Sequence, residues 1–165
     1  MVLQSLLQPK GSWLHVLVAP EDFDFLASVD AGTQGVAVRR IRGRKAPTTR
    51  ALFDEVGAAL QFPASFGETW ESFDKCLSDL AWLPGNAYVV LVQDALHVLA
   101  KEPPGEFRTF LAALDRAGRE WGKPGQAAKA KAFVVVLQCA KADEQALQNR
   151  LKDCSVSFTT IHATK

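Results

Sequence analysis

Cysteine is scarce in this chain. The 165 residues hold three, Cys76, Cys139 and Cys154. None stands in a C-x-x-C pair and one is always left over, which argues against a disulfide framework and against a zinc site. Cys76 falls on the apolar side of a helical pattern and Cys139 follows an apolar run, so both read as small buried hydrophobes. Histidine is equally sparse: His15, His97 and His162 are far apart and read as structural or surface groups. No G-x-S-x-G, G-x-x-x-x-G-K-[ST] or G-x-G-x-x-G motif occurs, so the sequence offers no signature of an enzyme, and no cofactor or metal is expected. A triad assembled from distant residues would leave no such mark. No apolar run is long enough to span a membrane, and the first residues, MVLQSLLQPKGSW, lack the basic start and long apolar core of a signal peptide. A reducing, cytoplasmic setting with free thiols is the expectation. Net charge is nearly absent too, at +1, so any electrostatic role must be local.

What is present suits a single globular domain: 48% hydrophobic and 22% charged residues, with no internal repeat and no low-complexity linker. Met1–Ser12 reads as a poorly ordered arm. Apolar runs at Trp13–Ala19, Ala87–Val92 and Ala132–Leu137 read as strands, the last two buried on both faces as in a parallel sheet. Gly35–Gly43 alternates and becomes basic at its end, and Ser155–Ile161 alternates as an edge strand would. Between them lie helical patterns. One starts at Pro20, with Phe23, Leu26 and Ala27 on its apolar side; others run from Pro47 to Leu60, from Gly105 to Trp121 and from Asp143 to Leu151. Strands alternating with helices predict one three-layer α/β domain.

The chain is organised around Phe62–Leu83, FPASFGETWESFDKCLSDLAWL. Pro63 and Gly67 mark an entry loop, Thr69 is the expected N-cap, and Ser65-x-x-Glu68 is a competing capping box. At roughly 100° per residue, Trp70, Phe73, Cys76, Leu77, Leu80 and Ala81 share one arc. Glu71, Asp74, Lys75, Ser78 and Asp79 occupy the other side. Pro84-Gly85 is the expected stop. Four acids, Glu68, Glu71, Asp74 and Asp79, stand here against Lys75 alone, whereas Arg39–Arg50 carries six bases and no acid. The basic run fits a nucleic-acid surface or a plain solvated strand end.

This stretch resembles the barstar family. Phe62-Pro63, Phe66-Gly67-Glu68, Trp70-Glu71, Phe73, Cys76-Leu77, Asp79-Leu80 and Trp82-Leu83 carry the match, followed at the right distance by the strand Tyr88–Val92. The similarity spans roughly residues 35–138, leaving 1–34 as an N-terminal extension and 139–165 as a C-terminal helix–strand extension packed on the same domain. The resemblance implies a small, mainly parallel sheet flanked by helices, with the terminal elements adding strands at its edges. It also implies a non-catalytic inhibitor whose loop and helix plug the active site of a secreted-type ribonuclease.

Carried over by position, the recognition surface comprises Ser65, Phe66, Gly67, Glu68, Thr69, Glu71, Asp74 and Lys75, over a core of Trp70, Phe73 and Leu77. The contact chemistry departs from the family pattern in places. Ser65-Phe66 stands where the family has two tyrosines, Thr69 where it has Asn, and Glu71 where it has Asp. Lys75 falls where the family places its most important acid. On the later helix, Arg108, with Glu106 nearby, occupies the region of a further acidic contact. The expected partner is a protein, with an immunity or antitoxin role. Reuse of the fold for a non-nuclease partner is the alternative, and RNA binding through Arg39–Arg50 comes third.

Overall fold

The computed structural model describes residues 12–25, 35–122 and 131–163. Within them the chain forms five strands and four α-helices. They run in the order β1 (Leu14–Val18), β2 (Val36–Arg42), α1 (Thr49–Ala59), α2 (Trp70–Asp79), β3 (Ala87–Gln93), α3 (Pro104–Gly122), β4 (Ala132–Cys139), α4 (Glu144–Asp153) and β5 (Thr159–His162), with short 3₁₀ turns at Gly43–Lys45, Ala95–His97 and Lys141–Asp143.

All strand pairs are parallel, and the sheet order is β2-β3-β4-β1-β5. Both terminal strands therefore join on the same side of the β2-β3-β4 unit, with β1 next to β4 and β5 at the outer edge. The fold is α/β, as the apolar runs of β3 and β4 indicate; every residue of β4 is buried. Alternate strand residues enter two cores. Leu14, Val16, Ile41, Val90, Val92, Val135 and Leu137 meet the residues of α1 to α4 on one face. Leu17, Val89, Leu91, Val134 and Val136 pack with Phe23 and Phe25 on the other.

Local signals set most of the boundaries. Thr48 caps α1 by accepting from the Ala51 N–H at 3.2 Å. At the other end of the chain, Arg150 of α4 lies over the Phe107 ring at 3.7 Å and donates to the Leu96 and Val98 carbonyls, which fixes α4 against the turn after β3. The three cysteines are free thiols.

Several expectations need correction. Glu21 and Asp22 form a turn, closed by the Phe23 N–H bonding to the Pro20 carbonyl at 3.0 Å, so no helix starts at Pro20 and helical backbone is first met at Phe25. Leu26 and Ala27, and the arm before Ser12, lie outside the described residues. Helix α2 stops at Asp79 rather than running to Pro84, because Leu80 adopts a left-handed conformation with φ 47° and buries its side chain. Ala81 consequently faces solvent. Strand β5 begins at Thr159, four residues later than the alternation from Ser155 implied; Ser155 itself has φ 56° and breaks the extended run.

Candidate functional site

The loop before α2 is rigidly built. The Phe62 N–H bonds to the Gly57 carbonyl at 2.8 Å and the Phe66 N–H to the Pro63 carbonyl at 2.9 Å. The Gly67 N–H donates to Ser72 Oγ at 2.9 Å, and Thr69 Oγ1 accepts from the Ser72 N–H at 3.1 Å. Thr69 is thus the N-cap, and Ser65-x-x-Glu68 does not form a capping box. Glu68 takes the left-handed conformation at φ 53°, which turns the chain sharply into the helix.

Beneath the loop lies an aromatic cluster. Phe53 meets Phe66, Trp70 and Phe73 at ring-centroid distances of 5.6, 4.9 and 5.5 Å, and Phe62 meets Phe66, Phe73 and Trp82. Most of these pairs are edge-to-face, the arrangement favoured by ring quadrupoles. Indole N–H groups pin the surrounding elements. Trp82 donates to the Leu60 carbonyl and Trp121 to the Leu77 carbonyl, both at 2.9 Å. Trp70, only half-buried, donates to Glu106 Oε2 at 3.1 Å, and Thr49 Oγ1 donates to the same oxygen at 2.6 Å. Glu106 therefore ties the N-terminal turns of α1, α2 and α3 together instead of standing free.

The loop is a ridge between two depressions. One, of about 340 Å³, runs along α2 between Ser65, Thr69, Glu71, Lys75 and Asp79, with Cys76 and Trp82 in its lining. The other, of about 420 Å³, is bounded by Asp54, Phe62, Phe66, Gly67 and Glu68. Ser65, Thr69, Glu71 and Lys75 are thus brought together, Phe66, Gly67 and Glu68 share the other flank, and Asp74 belongs to neither.

Asp74 instead accepts from Arg116 Nε through both carboxylate oxygens at 3.1 Å. Glu71 and Lys75 form an i,i+4 pair at 3.4 Å, both well exposed. Glu68 and Asp79 have no ion-pair partner among the described residues. Burial raises the Cys76 thiol pKa, and the Asp79 charge raises it further, so the thiol in this depression is not an activated nucleophile. The described residues contain no group of three or more His, Cys, Asp or Glu able to hold a metal ion. They include no helix long and apolar enough to cross a membrane.

Sequence reading missed Arg116, the bond from Trp82 to the Leu60 carbonyl and the inward role of Glu106. Arg116 lies 42 residues from Asp74, and no local pattern announces a pair so distant.

A family model described as Barstar (barnase inhibitor) matches residues 36–138, well over half of the chain. The chain belongs to the barstar family. In this barstar-family protein the matched region contains β2, β3, α1 to α3 and all of β4 but Cys139, while β1, α4 and β5 lie wholly beyond it. No curated protein matches the sequence. Among solved structures, the ORC2 protein of Aeropyrum pernix in its ADPNP–ADP complexes is similar with a TM-score of 0.56 at 8% identity, over 92% of this chain and 42% of that one. The Drosophila ORC bound to AT-rich DNA and Cdc6 is similar with a TM-score of 0.50 at 14% identity, over 95% and 52%. The chain spans about half or less of these structures. At such identities the likeness is one of fold alone.

Proposed function

We propose that this barstar-family chain is a non-catalytic binding protein that blocks a ribonuclease through the Phe62–Leu83 loop and helix. The observation that carries the reading is the family match over residues 36–138, within which hydrogen bonds fix the loop before α2 and Ser65, Gly67, Glu68, Thr69, Glu71 and Lys75 are exposed. A ribonuclease active site holds RNA phosphates and is cationic, so carboxylates presented on a rigid ridge compete for it and speed encounter. Ser65, Phe66, Gly67, Glu68, Thr69, Glu71, Asp74 and Lys75 form the proposed recognition surface. Glu68 and the neighbouring Asp79 supply its unpaired negative charge, because Arg116 is paired with Asp74 and Lys75 with Glu71. A protective role inside the cell that makes or meets the nuclease follows from this reading.

A second reading has an observation of its own. Lys75 sits mid-face on α2 beside Glu71, and an unpaired ammonium buried in a cationic pocket is costly. The same surface would then serve a partner that is not a barnase-type nuclease. Nucleotide or DNA binding of the kind printed for the ORC structures is not proposed, since the sequence has no phosphate-cradling G-x-x-x-x-G-K-[ST] loop.

The deciding experiment titrates the purified chain into a panel of secreted ribonucleases, following RNA cleavage and complex formation by sedimentation. A stoichiometric complex that suppresses cleavage supports the reading. If no nuclease is retained while a non-nuclease protein from the host is captured and competes at the Glu71 surface, the second reading replaces the first.

A further inference from the structure

Among the described residues, strand β2 is the edge of the sheet opposite β5. Its main chain can be divided by direction. The Arg42 N–H points away from β3, because it donates to Glu55 Oε2 on α1 at 3.1 Å. Along a strand the main-chain polar groups of successive residues alternate sides. Val36, Val38 and Arg40 therefore point outward with Arg42, whereas Ala37, Arg39 and Ile41 bond to β3. Among the described residues, the outward amides and carbonyls of Val36, Val38 and Arg40 have no partner. Such an edge is a template for another strand.

The side chains define what that strand carries. Arg42 is held by Glu55 and Arg44 by Asp94. Arg39 and Arg40 have no side-chain partner among the described residues, and the Arg39 Nε is sheltered from water without an acceptor. Ala37 and Ile41 belong to the core that contains the helices, and Val36 and Val38 to the other. By the same alternation Arg39 projects on the helix side of the sheet and Arg40 on the opposite side. An added strand thus meets a free guanidinium on each face of the edge.

We propose that the outer edge of β2 receives an extended, acidic segment of a protein partner, adding a sixth strand to the sheet. Main-chain bonds to Val36, Val38 and Arg40 would supply attachment, and carboxylates beside Arg39 and Arg40 would supply selectivity. Pairing with a second copy is disfavoured, since antiparallel pairing about Val38 brings four unneutralised arginines together. RNA is disfavoured because, within β2, only Arg39 and Arg40 are without an ion-pair partner among the described residues, and a phosphate backbone rewards many. This surface shares no residue with the ridge at 62–83, so the proposal stands apart from the ribonuclease reading.

The test uses the full chain, ¹⁵N-labelled, with acetyl-VTEETV-amide, whose adjacent acids project on both faces of an extended strand, as probe and acetyl-VTKKTV-amide and a uridine hexamer as controls. At a peptide concentration ten times its Kd, hydrogen exchange at the Val36, Val38 and Arg40 amides should slow about tenfold, while Ala37, Arg39 and Ile41 do not change. Arg40→Glu, checked for an unaltered thermal midpoint, should lose the acidic peptide and gain the basic one. No protection at millimolar peptide overturns the proposal. So does equal protection by the basic peptide, protection by the uridine hexamer, or protection that grows with protein concentration alone.

Discussion

At the scale of single residues, charge on the recognition face is decided by partners that the linear sequence hides. The acidic side of α2 is legible from the wheel, and so is the Glu71–Lys75 pair, which local spacing dictates. The Asp74–Arg116 pair is not legible, because it depends on how α2 lies against α3. The consequence is measurable. Asp74→Asn should change stability by no more than about 1 kcal/mol, as exposed pairs do, and, removing a single charge and leaving Arg116 unpaired, should slow association less than a double neutralisation does. Glu71→Gln together with Asp79→Asn should slow association, most strongly at low salt. Stopped-flow rates across a salt series distinguish the two variants. Lys75→Asp goes further. It removes the cation from the face and releases Glu71 from its pair, so inhibition of a barnase-type ribonuclease should improve from a weak starting level. Strong inhibition by the native chain, unchanged in Lys75→Asp, would place Lys75 outside the interface.

At the scale of elements, the start of α2 can be read and its end cannot. Thr69 caps the helix through a bond to its own neighbour three residues on, which is a local rule. The stop is tertiary: Leu80 accepts a left-handed backbone so that its side chain can fill the core. The buried strands β3 and β4 were equally plain from consecutive apolar residues, whereas the register and the lateral order of the sheet have no local signature. The role of Glu106 likewise needed the packing of three helices to appear. Phe73 is wholly buried at the centre of the aromatic cluster. Phe73→Ala should therefore cost about 3–5 kcal/mol through lost contact and a residual cavity. Thr69→Ala should cost about 1 kcal/mol by removing the cap. Urea melts measure both, and a small loss for Phe73→Ala would mean that the helix can repack around the gap.

At the scale of the whole molecule, the first and last described strands close on each other, and a histidine sits in the joint. His15 in β1 is buried, and its Nε2 lies 2.9 Å from the Ser12 carbonyl, so Nε2 must carry the proton. Nδ1 is then the acceptor facing the Thr159 hydroxyl of β5. Burial holds the His15 pKa below its ordinary value of 6.5, and the bond to Ser12 only partly offsets this. A group kept neutral in the folded state binds a proton more readily when unfolded. Its contribution to stability is complete above about pH 6.5 and is lost as the pH falls below that value toward the lower folded pKa. The paired carboxylates Glu55 and Glu144, whose pKa values are lowered chiefly by hydrogen bonds from Arg42 and from Lys141 and His162, act in a separate window below about pH 4.5. Thermal midpoints recorded from pH 8 to pH 3 should therefore fall in two stages, the first beginning as the pH drops below about 6.5 and the second below about 4.5. His15→Gln keeps a polar side chain beside Thr159 but does not titrate. It should start from a lower midpoint and show only the second stage. A first stage that survives in His15→Gln would assign the neutral-range loss to another group and leave the β1–β5 joint indifferent to pH.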